Sequence, residues 1–532
     1  MPHLESPSIV PLEDCQIMSG GMGAHVLSPE GLGRISGMGA AATASVTAAE
    51  VVVARELMRG NDAFLRAVEQ FPVQYMAEQF ADSYWREGGV SLDDGRKLLY
   101  DTMPFIRLDR HNPRLDPVKN NKVVDARVIG GFVLTRLAID EANKHACEQL
   151  VDEKAQRGPV GINALYKIID GVGTFYGAML AGADYMAMGA GVPEQMPRLL
   201  TDLAHGRTVE YLAKIVGAKQ VRGGRVVRDY AMPFDPARYT DNRPRELDPM
   251  AFLLIATTAD QVQAFMHGRS DDELPYGYVM ENHYAGGHNA PPIGGKPLIG
   301  EHAEPEYSER DELDIDAMNA LGVPYWVAGD QSSPDKLQAA IAHGARGIQV
   351  GSVMALADES NFLLSYRQPI VMSILSGNRR PVAADPYTSP SGYPFNVVDM
   401  PGTLSDPRVA ATRQRVCDIR KLVEIADVNG NKYVDRCPAD TAQAWERDGG
   451  TKLRRHGQNC LCNGLLAAIG LGQVRSNDGK IYREPAEITL GSGETVDNAV
   501  RALCAATKSR RRMPGYSVTD AIRYLRGEIY AM

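Results

Sequence analysis

Residues 324–352 read PYWVAGDQSSPDKLQAAIAHGARGIQVGS, and this stretch decides the fold. It opens with the apolar run PYWVA (324–328) and closes with the apolar run GIQV (347–350), while the residues between them have helical spacing. Ser332 or Ser333, ahead of Pro334, is typical of a helix N-cap followed by proline at the first helical position. A strand, a helix and a second strand in this order predict a βα repeat with parallel strands.

The same unit recurs along the chain, because short apolar runs are repeatedly closed by Gly or small polar residues and followed by helical spacing. The eight predicted strands are CQIM (15–18), GAAAT (39–43), PVGIN (159–163), DYMAM (184–188), FLLIA (252–256), GYVME (277–281), PYWVA (324–328) and GIQV (347–350). Eight parallel strands that alternate with helices close most economically into a TIM (β/α)8 barrel. We therefore predict this α/β fold, with the functional groups in the loops that follow the strands.

Uneven spacing between the strands indicates where the barrel is extended. We predict a barrel over residues 1–377, with insertions near 51–150 and 217–249. The second insertion is rich in Arg, Asp and Pro, which favours a long polar loop or lid. Too many residues follow the eighth strand for one helix, so residues 378–532 are expected to form a C-terminal extension packed on the barrel.

Composition narrows the classes of function. The chain has 44 % apolar and 23 % charged residues and a net charge of −9, so it is globular and would repel a nucleic-acid backbone. Its start lacks a basic segment followed by an apolar one, and no run approaches eighteen apolar residues. We expect a cytoplasmic protein that acts on a small molecule, without a membrane or nucleic-acid partner, and leave a homo-oligomer open.

Glycine-rich segments follow three of the predicted strands. Residues 19–23 (SGGMG) come directly after the first strand, where bare backbone lets a flat ligand approach, although a plain tight turn fits equally. The seventh and eighth strands end in AGDQSS (328–333) and in Gly351 and Ser352. Barrels commonly bind a phosphate between these two loops and a helix N-terminus, so we expect a phosphate site here, compatible with simple helix capping.

His288 is the candidate proton-transfer residue. It follows two glycines in the loop after the sixth strand, and an imidazole with an ordinary pKa of about 6.5 suits proton transfer near neutrality. A histidine in a loop is more often a surface or packing residue, and its position after a barrel strand favours function. His283 lies five residues earlier, but no Asp, Glu or Cys has a ligand-like spacing to the pair, so we predict no metal.

The cysteines give a weaker signal. The chain has seven, an odd number that fits a reducing compartment better than a disulfide scaffold. Four thiols could bind zinc, but these four lack C-x₂₋₄-C pairs: Cys417, Cys437, Cys460 and Cys462. Buried free thiols are therefore expected, and structural zinc is the alternative.

Taken together, these segments resemble the nitronate monooxygenase, or 2-nitropropane dioxygenase-like, family of FMN enzymes on a TIM barrel. The matching segments are SGGMG (19–23), GPVGIN (158–163), TFYGAMLAGADYMAMGAGVP (174–193), AGGHNAPP (285–292), YWVAG (325–329) and GIQVGS (347–352). DPYTSPSGYPFNVV (385–398), GTLSDP (402–407) and CLCNGLLAAIGLGQ (460–473) are similar to a longer branch of that family.

The resemblance implies a role for nine residues. His288 would be the catalytic histidine, and eight others would contact FMN: Gly21, Met22, Gly23, Asn163, Gly287, Gly329, Gly351 and Ser352. Two features depart from the family pattern. Asp330 stands near the expected phosphate, which it would repel unless it turns outward or accepts an N–H bond, and the second strand reads AAATASVTAA (40–49) instead of a Val-rich strand with a glycine.

The implied reaction oxidises a nitronate or related nitro compound with O2 to a carbonyl product and nitrite. FMN would carry the electron chemistry, while the protein would supply position, a dry cavity and a proton donor or acceptor. Two alternatives stay open. One is an FMN-dependent enoyl reductase that uses NADH or NADPH, and the other is a flavin-binding pathway protein without turnover.

Overall fold

The eight predicted strands form one parallel sheet that closes into a barrel. The computed structural model describes residues 7–148, 155–222, 225–240, 245–294, 305–477 and 479–529. The barrel strands, numbered first to eighth below, are Ile17–Ser19, Ala42–Ser45, Val160–Leu165, Tyr185–Gly189, Ala251–Ala256, Gly277–Glu281, Tyr325–Ala328 and Gly347–Val350. From the second to the eighth, each pairs with its neighbour in chain order, and the eighth pairs with the first. The Ser19 amide donates to the Ala41 carbonyl at 2.8 Å, which joins the first strand to the second and completes the barrel. The TIM-barrel prediction is confirmed.

The barrel interior is filled by side chains from most of its strands. Trp326 is fully buried there, and its indole N–H donates to the Cys15 carbonyl at 2.8 Å. Tyr185 and Met18 pack in the same buried cluster, which is separate from the larger core between the strands and the helices. A packed interior leaves only the strand ends and their loops to build a binding site.

Helices surround the barrel and continue into the C-terminal region. Their bounds are Pro29–Gly37, Ala49–Met58, Asp62–Glu69, Gln74–Tyr84, Pro117–Glu148, Val172–Ala181, Met196–Ala204, Ala259–Met266, Ile315–Ala320, Pro334–Ala342, Ser352–Ala355, Leu364–Leu375, Pro407–Thr412, Ala442–Arg447, Lys452–Arg455, Leu461–Ala468, Thr495–Thr507 and Val518–Leu525. Within the described residues, no helix combines the length and apolar character needed to cross a bilayer.

In the ring of helices around the barrel, the place next to the eighth strand is taken by a helix from much later in the chain. Val518–Leu525 packs between Pro29–Gly37 and Pro334–Ala342, the helices that follow the first and seventh strands. Its end is tied to the first of these helices by Arg526, whose Nη2 donates to the Met38 carbonyl at 2.6 Å. The division at residue 377 stays a prediction, to which the structure adds that the predicted extension supplies part of the barrel's outer layer.

Strands outside the barrel form small sheets. Their bounds are Ser8–Ile9, Gln156–Arg157, Val209–Val216, Val221–Arg222, Arg225–Val226, Asp229–Phe234, Gly287–His288, Val382–Asp385, Phe395–Val398, Glu424–Val428, Lys432–Arg436, Val474–Asn477 and Lys480–Arg483. Val209–Val216 pairs with Asp229–Phe234 on one side and with Glu424–Val428 on the other. The prediction of a long polar loop or lid is therefore wrong for the described part of residues 217–249: Asp229–Phe234 pairs with Val209–Val216, and the amides of Lys219 and Gln220 donate to Asp427 of the extension at 2.7 and 2.8 Å. Burial alternates along Asp229–Phe234, a strand pattern that the Arg- and Pro-rich composition obscured.

Candidate functional site

One cleft of about 1190 Å³, counting the part open to solvent, lies at the C-terminal ends of the barrel strands. The nine residues that the sequence singled out all line it: Gly21, Met22, Gly23, Asn163, Gly287, His288, Gly329, Gly351 and Ser352. Their positions are scattered from residue 21 to residue 352, so their convergence comes from barrel closure.

The loop after the first strand forms the floor of the cleft. A Cβ at Gly21 would lie 2.1 Å from the Cβ of Asn163, so a side chain at position 21 would displace Asn163 from the end of the third strand. Met22 reaches across to the eighth strand, where its sulfur would lie 3.2 Å from a Cβ at Gly351. Backbone without side chains therefore brings these strand ends close together.

A loop of the C-terminal extension forms the opposite wall. Residues 489–495 read TLGSGET and lead into the helix Thr495–Thr507, and most of them line the cleft. The Gly491 amide donates to Ser352 Oγ at 2.7 Å, which fastens this loop to the loop after the eighth strand. The sequence analysis missed the segment, although a glycine-rich turn directly before a helix is a recognisable pattern for binding an anion.

Arg379 holds that glycine-rich loop in place. Its guanidinium donates to the carbonyls of Gly493 (2.7 Å), Ser492 (3.4 Å) and Gly491, and it pairs with Asp497 at 3.2 Å. These hydrogen bonds hold the three carbonyls on the side of the loop that faces Arg379. A loop fixed in this way can keep its geometry when a ligand binds.

Asp330 lines the cleft, and its carboxylate accepts a hydrogen bond there. Its backbone is in the left-handed region at φ 52°, and its Oδ1 accepts from the Thr495 amide at 2.7 Å. The Thr495 hydroxyl in turn accepts from the Ser332 amide at 2.8 Å. Asp330 therefore caps the helix Thr495–Thr507, which is one of the two ways in which a carboxylate can be tolerated beside a bound phosphate.

His288 is held by the extension. Gly287–His288 pairs antiparallel with Phe395 and Asn396. The Phe395 ring packs edge-on to the imidazole, with the two ring centroids 4.9 Å apart. His288 Nε2 hydrogen-bonds the buried Ser389 hydroxyl at 2.6 Å. Burial lowers the pKa of His288 to about 4, so the ring is neutral near pH 7.

Glu281 is a candidate residue that the sequence analysis missed. It ends the sixth strand and lines the cleft, and its carboxyl makes no hydrogen bond or ion pair with a described residue. Burial raises its pKa to about 8, so the group is a neutral acid near pH 7. The available signal was a glutamate at the C-terminal end of an otherwise apolar barrel strand.

His283 lies outside the cleft. Its ring stacks on Tyr307 at 4.1 Å and lines a smaller cavity with Asp311. Across the described residues, no three His, Cys, Asp or Glu side chains are arranged to hold a metal ion.

The cleft also excludes the four cysteines of the C-terminal extension considered above, which are Cys417, Cys437, Cys460 and Cys462. All are free thiols, and Cys437 and Cys460 are buried in a small apolar cluster on which Cys462 packs. The interaction of Cys417 with Cys460, together with burial, raises the pKa of the Cys417 thiol. Their structural role stays a prediction.

Comparisons with known proteins give no family. No protein-family model matches the chain, and no curated protein matches its sequence. Among solved structures, nitroalkane oxidase from Streptomyces ansochromogenes is 13 % identical, with 98 % of each chain covered and a TM-score of 0.38. A point mutant of FabK from Thermotoga maritima is 14 % identical over 74 % of this chain and 79 % of that one, with a TM-score of 0.35. The enoyl reductase domain of MlnA from Bacillus amyloliquefaciens is 11 % identical over 76 % of this chain and 69 % of that one, with a TM-score of 0.34.

Proposed function

We propose that the chain is an FMN-dependent oxidoreductase whose active site is the cleft at the strand ends. The observation that carries this proposal is the meeting of two features in one cleft: a neutral imidazole and a set of strand-end backbones without side chains. One feature suits proton transfer, and the other suits a flat, phosphate-bearing ligand.

The residues present fit FMN. The space that a side chain at Gly287 would occupy is empty, and the strand ends meet so closely at Gly21 that only bare backbone is accommodated. Gly329, Gly351 and Ser352 would hold the phosphate, since they line the cleft beside the N-terminus of Thr495–Thr507. Gly21, Met22, Gly23, Asn163 and Gly287 would line the ring system. When bound, FMN supplies the electron acceptor for substrate oxidation.

The protein's own part is to move a proton and to exclude water. A neutral His288 can accept a proton from a carbon acid or donate one from its N–H, and its fixed contact with Phe395 keeps the ring oriented. Glu281, as a neutral acid, can donate a hydrogen bond to a substrate oxygen that gains negative charge. Both groups favour a substrate that becomes an anion next to a carbonyl or nitro oxygen.

For the substrate we infer a nitronate or a related nitro compound, oxidised with O2 to a carbonyl product and nitrite. The AGGHNAPP segment and the strand-end glycines support this choice through their resemblance to nitronate monooxygenases. An enoyl reductase would use the same imidazole as a proton donor, and the substrate experiment must therefore separate the two.

The test is anaerobic reduction of the purified flavoprotein. We expect the released cofactor to have the mass of FMN, and the visible flavin band to bleach with ethyl nitronate but not with NADPH. Admission of O2 should then restore the band and release nitrite. Bleaching by NADPH alone would identify a reductase instead, and a protein that neither contains FMN nor takes it up would refute the proposal.

A further inference from the structure

Three side chains form a continuous hydrogen-bonded line that leads away from the cleft. His288 Nε2 lies 2.6 Å from Ser389 Oγ, and Ser389 Oγ lies 2.8 Å from Ser391 Oγ. Both contacts are within ordinary hydrogen-bond length. The line therefore runs from an imidazole that lines the cleft to a hydroxyl two residues beyond the buried Ser389.

The backbone fixes the position of each hydroxyl. The Ser391 amide donates to Ser389 Oγ at 3.2 Å, and the Tyr393 amide donates to Ser391 Oγ at 3.2 Å. Each oxygen thus has one acceptor site filled by an N–H, which leaves its own O–H to point along the line. Pro390, between the two serines, restricts the turn further.

Ser391 reaches a second cavity. This cavity has a volume of about 640 Å³, counting its open part, and it lies between the segment after the third strand and the strands Val209–Val216 and Glu424–Val428. Most of its lining is apolar, but Lys167, Lys214 and Glu424 also line it, and because the cavity is partly open, solvent water can reach Ser391. His288 is not one of its lining residues, and Ser391 does not line the main cleft.

We propose that Ser389 and Ser391 form a proton path that connects His288 to the second cavity. The inference rests on the proposed function of the cleft, because the proton that would travel along this path is the one that His288 takes from a neutral nitro compound. It is needed because a bound cofactor and substrate would fill the cleft and keep bulk water from the ring.

The path explains how a buried, neutral imidazole can work as a base. Burial disfavours an imidazolium at this position, so a proton that arrives must be matched by one that leaves. Nε2 is on the path, and the proposal places the substrate at Nδ1, which makes no hydrogen bond with a described residue.

In the forward step, the substrate C–H bond breaks and its proton joins Nδ1, while the bonding electrons stay on the substrate. The Nε2 proton passes to Ser389 Oγ, the Ser389 proton passes to Ser391 Oγ, and the Ser391 proton passes to water in the second cavity. Each serine ends with one proton, the ring remains neutral, and the original tautomer returns when product release admits water to Nδ1.

Kinetics on two forms of one substrate test the path. Ser389→Ala should lower kcat on neutral nitroethane by about 10- to 100-fold, since a positioned proton-transfer group contributes about 10²- to 10⁴-fold. The same variant should lose several-fold less on preformed ethyl nitronate than on nitroethane, because that substrate has already lost its proton. Ser391→Ala should show a smaller loss of the same kind, and Ser389→Thr should restore the rate.

Ser373→Ala is the matched control, since its hydroxyl donates to the Ile370 carbonyl at 2.7 Å and takes no part in the line. It should leave both rates unchanged. Equal losses on both substrate forms in Ser389→Ala, or no loss on either, would overturn the proton path.

A second measurement does not depend on the substrate. In the FMN-bound protein, NMR should show that the His288 imidazole N–H exchanges with solvent at least several-fold more slowly in Ser389→Ala and Ser391→Ala than in the wild type. Unchanged exchange in both variants refutes the path. If exchange slows but no nitro compound is oxidised, the path stands and the proposed substrate fails.

Discussion

Glu281 makes the stability of this protein depend on pH in an unusual direction. The unfolded chain releases the Glu281 proton near the ordinary pKa of 4.5, whereas burial at the end of the sixth strand raises the folded-state pKa to about 8. Between these values the unfolded state holds fewer protons than the folded state, so stability from this group is present below pH 4.5 and is lost as pH rises towards 8. The loss between about pH 5 and about pH 8 is roughly 3.5 kcal/mol, at about 1.36 kcal/mol per pKa unit.

Glu281→Gln removes the titration while it keeps the shape of the side chain. We expect the variant to gain stability relative to the wild type as pH rises, by up to about 3.5 kcal/mol in the free energy of unfolding, measured by urea denaturation with equal FMN present. Glu78→Gln, at an exposed position of the helix Gln74–Tyr84, is the control and should follow the wild type at each pH. A constant difference between Glu281→Gln and the wild type from about pH 5 to about pH 8 would show that Glu281 is ionised in the folded protein, and the reasoning would fail.

Substitutions at three further positions test the site and its surroundings. His288→Ala should keep FMN and fold, yet lose about 10²- to 10⁴-fold in kcat on a neutral nitro compound; unchanged kcat with FMN bound would make His288 a packing residue. Asp330→Asn should retain the cap on Thr495–Thr507 and bind FMN more tightly in a fluorescence titration, because a negative charge near the phosphate is removed. Asp330→Ala should instead lower Tm, because the cap is lost. Identical behaviour of the two variants contradicts the capping role. Cys462→Ser should lower stability by about 1 to 3 kcal/mol, since it places a hydroxyl in an apolar cluster, with little change in turnover per folded molecule; a large loss of turnover at unchanged Tm would instead give the thiol a part in the chemistry.

The barrel was predictable from the sequence because its signals are local. Each strand is a short apolar run ended by Gly or a small polar residue, as in PYWVA (324–328) followed by Gly329, and all eight predicted runs overlap the observed strands. The strand-end residues followed from the same logic, and the structure brings the nine of them to one cleft. Whether they bind FMN and move a proton stays a prediction.

What the sequence did not reveal are contacts between distant segments. Ser389 lies 101 residues from the imidazole that it hydrogen-bonds, and Thr495 lies 165 residues from Asp330. No periodicity or short motif reports such pairs, because they depend on how the extension packs on the barrel. Glu281 was missed for another reason: the letters GYVME (277–281) show a glutamate at the end of an apolar strand, but they do not show the burial that raises its pKa or the lack of a partner among the described residues.

The position of the helix Val518–Leu525 has a consequence for synthesis of the protein. The helices beside it in the finished barrel, Pro29–Gly37 and Pro334–Ala342, leave the ribosome long before it does. Until then, the apolar surface that it covers next to the first and eighth strands stays exposed on the nascent chain. The barrel is thus completed late, through contacts of high sequence separation, which slows folding and favours association of incomplete chains. A cell that makes this protein would need to shield that surface during translation, and a chain shortened before residue 518 should be captured by chaperones or degraded.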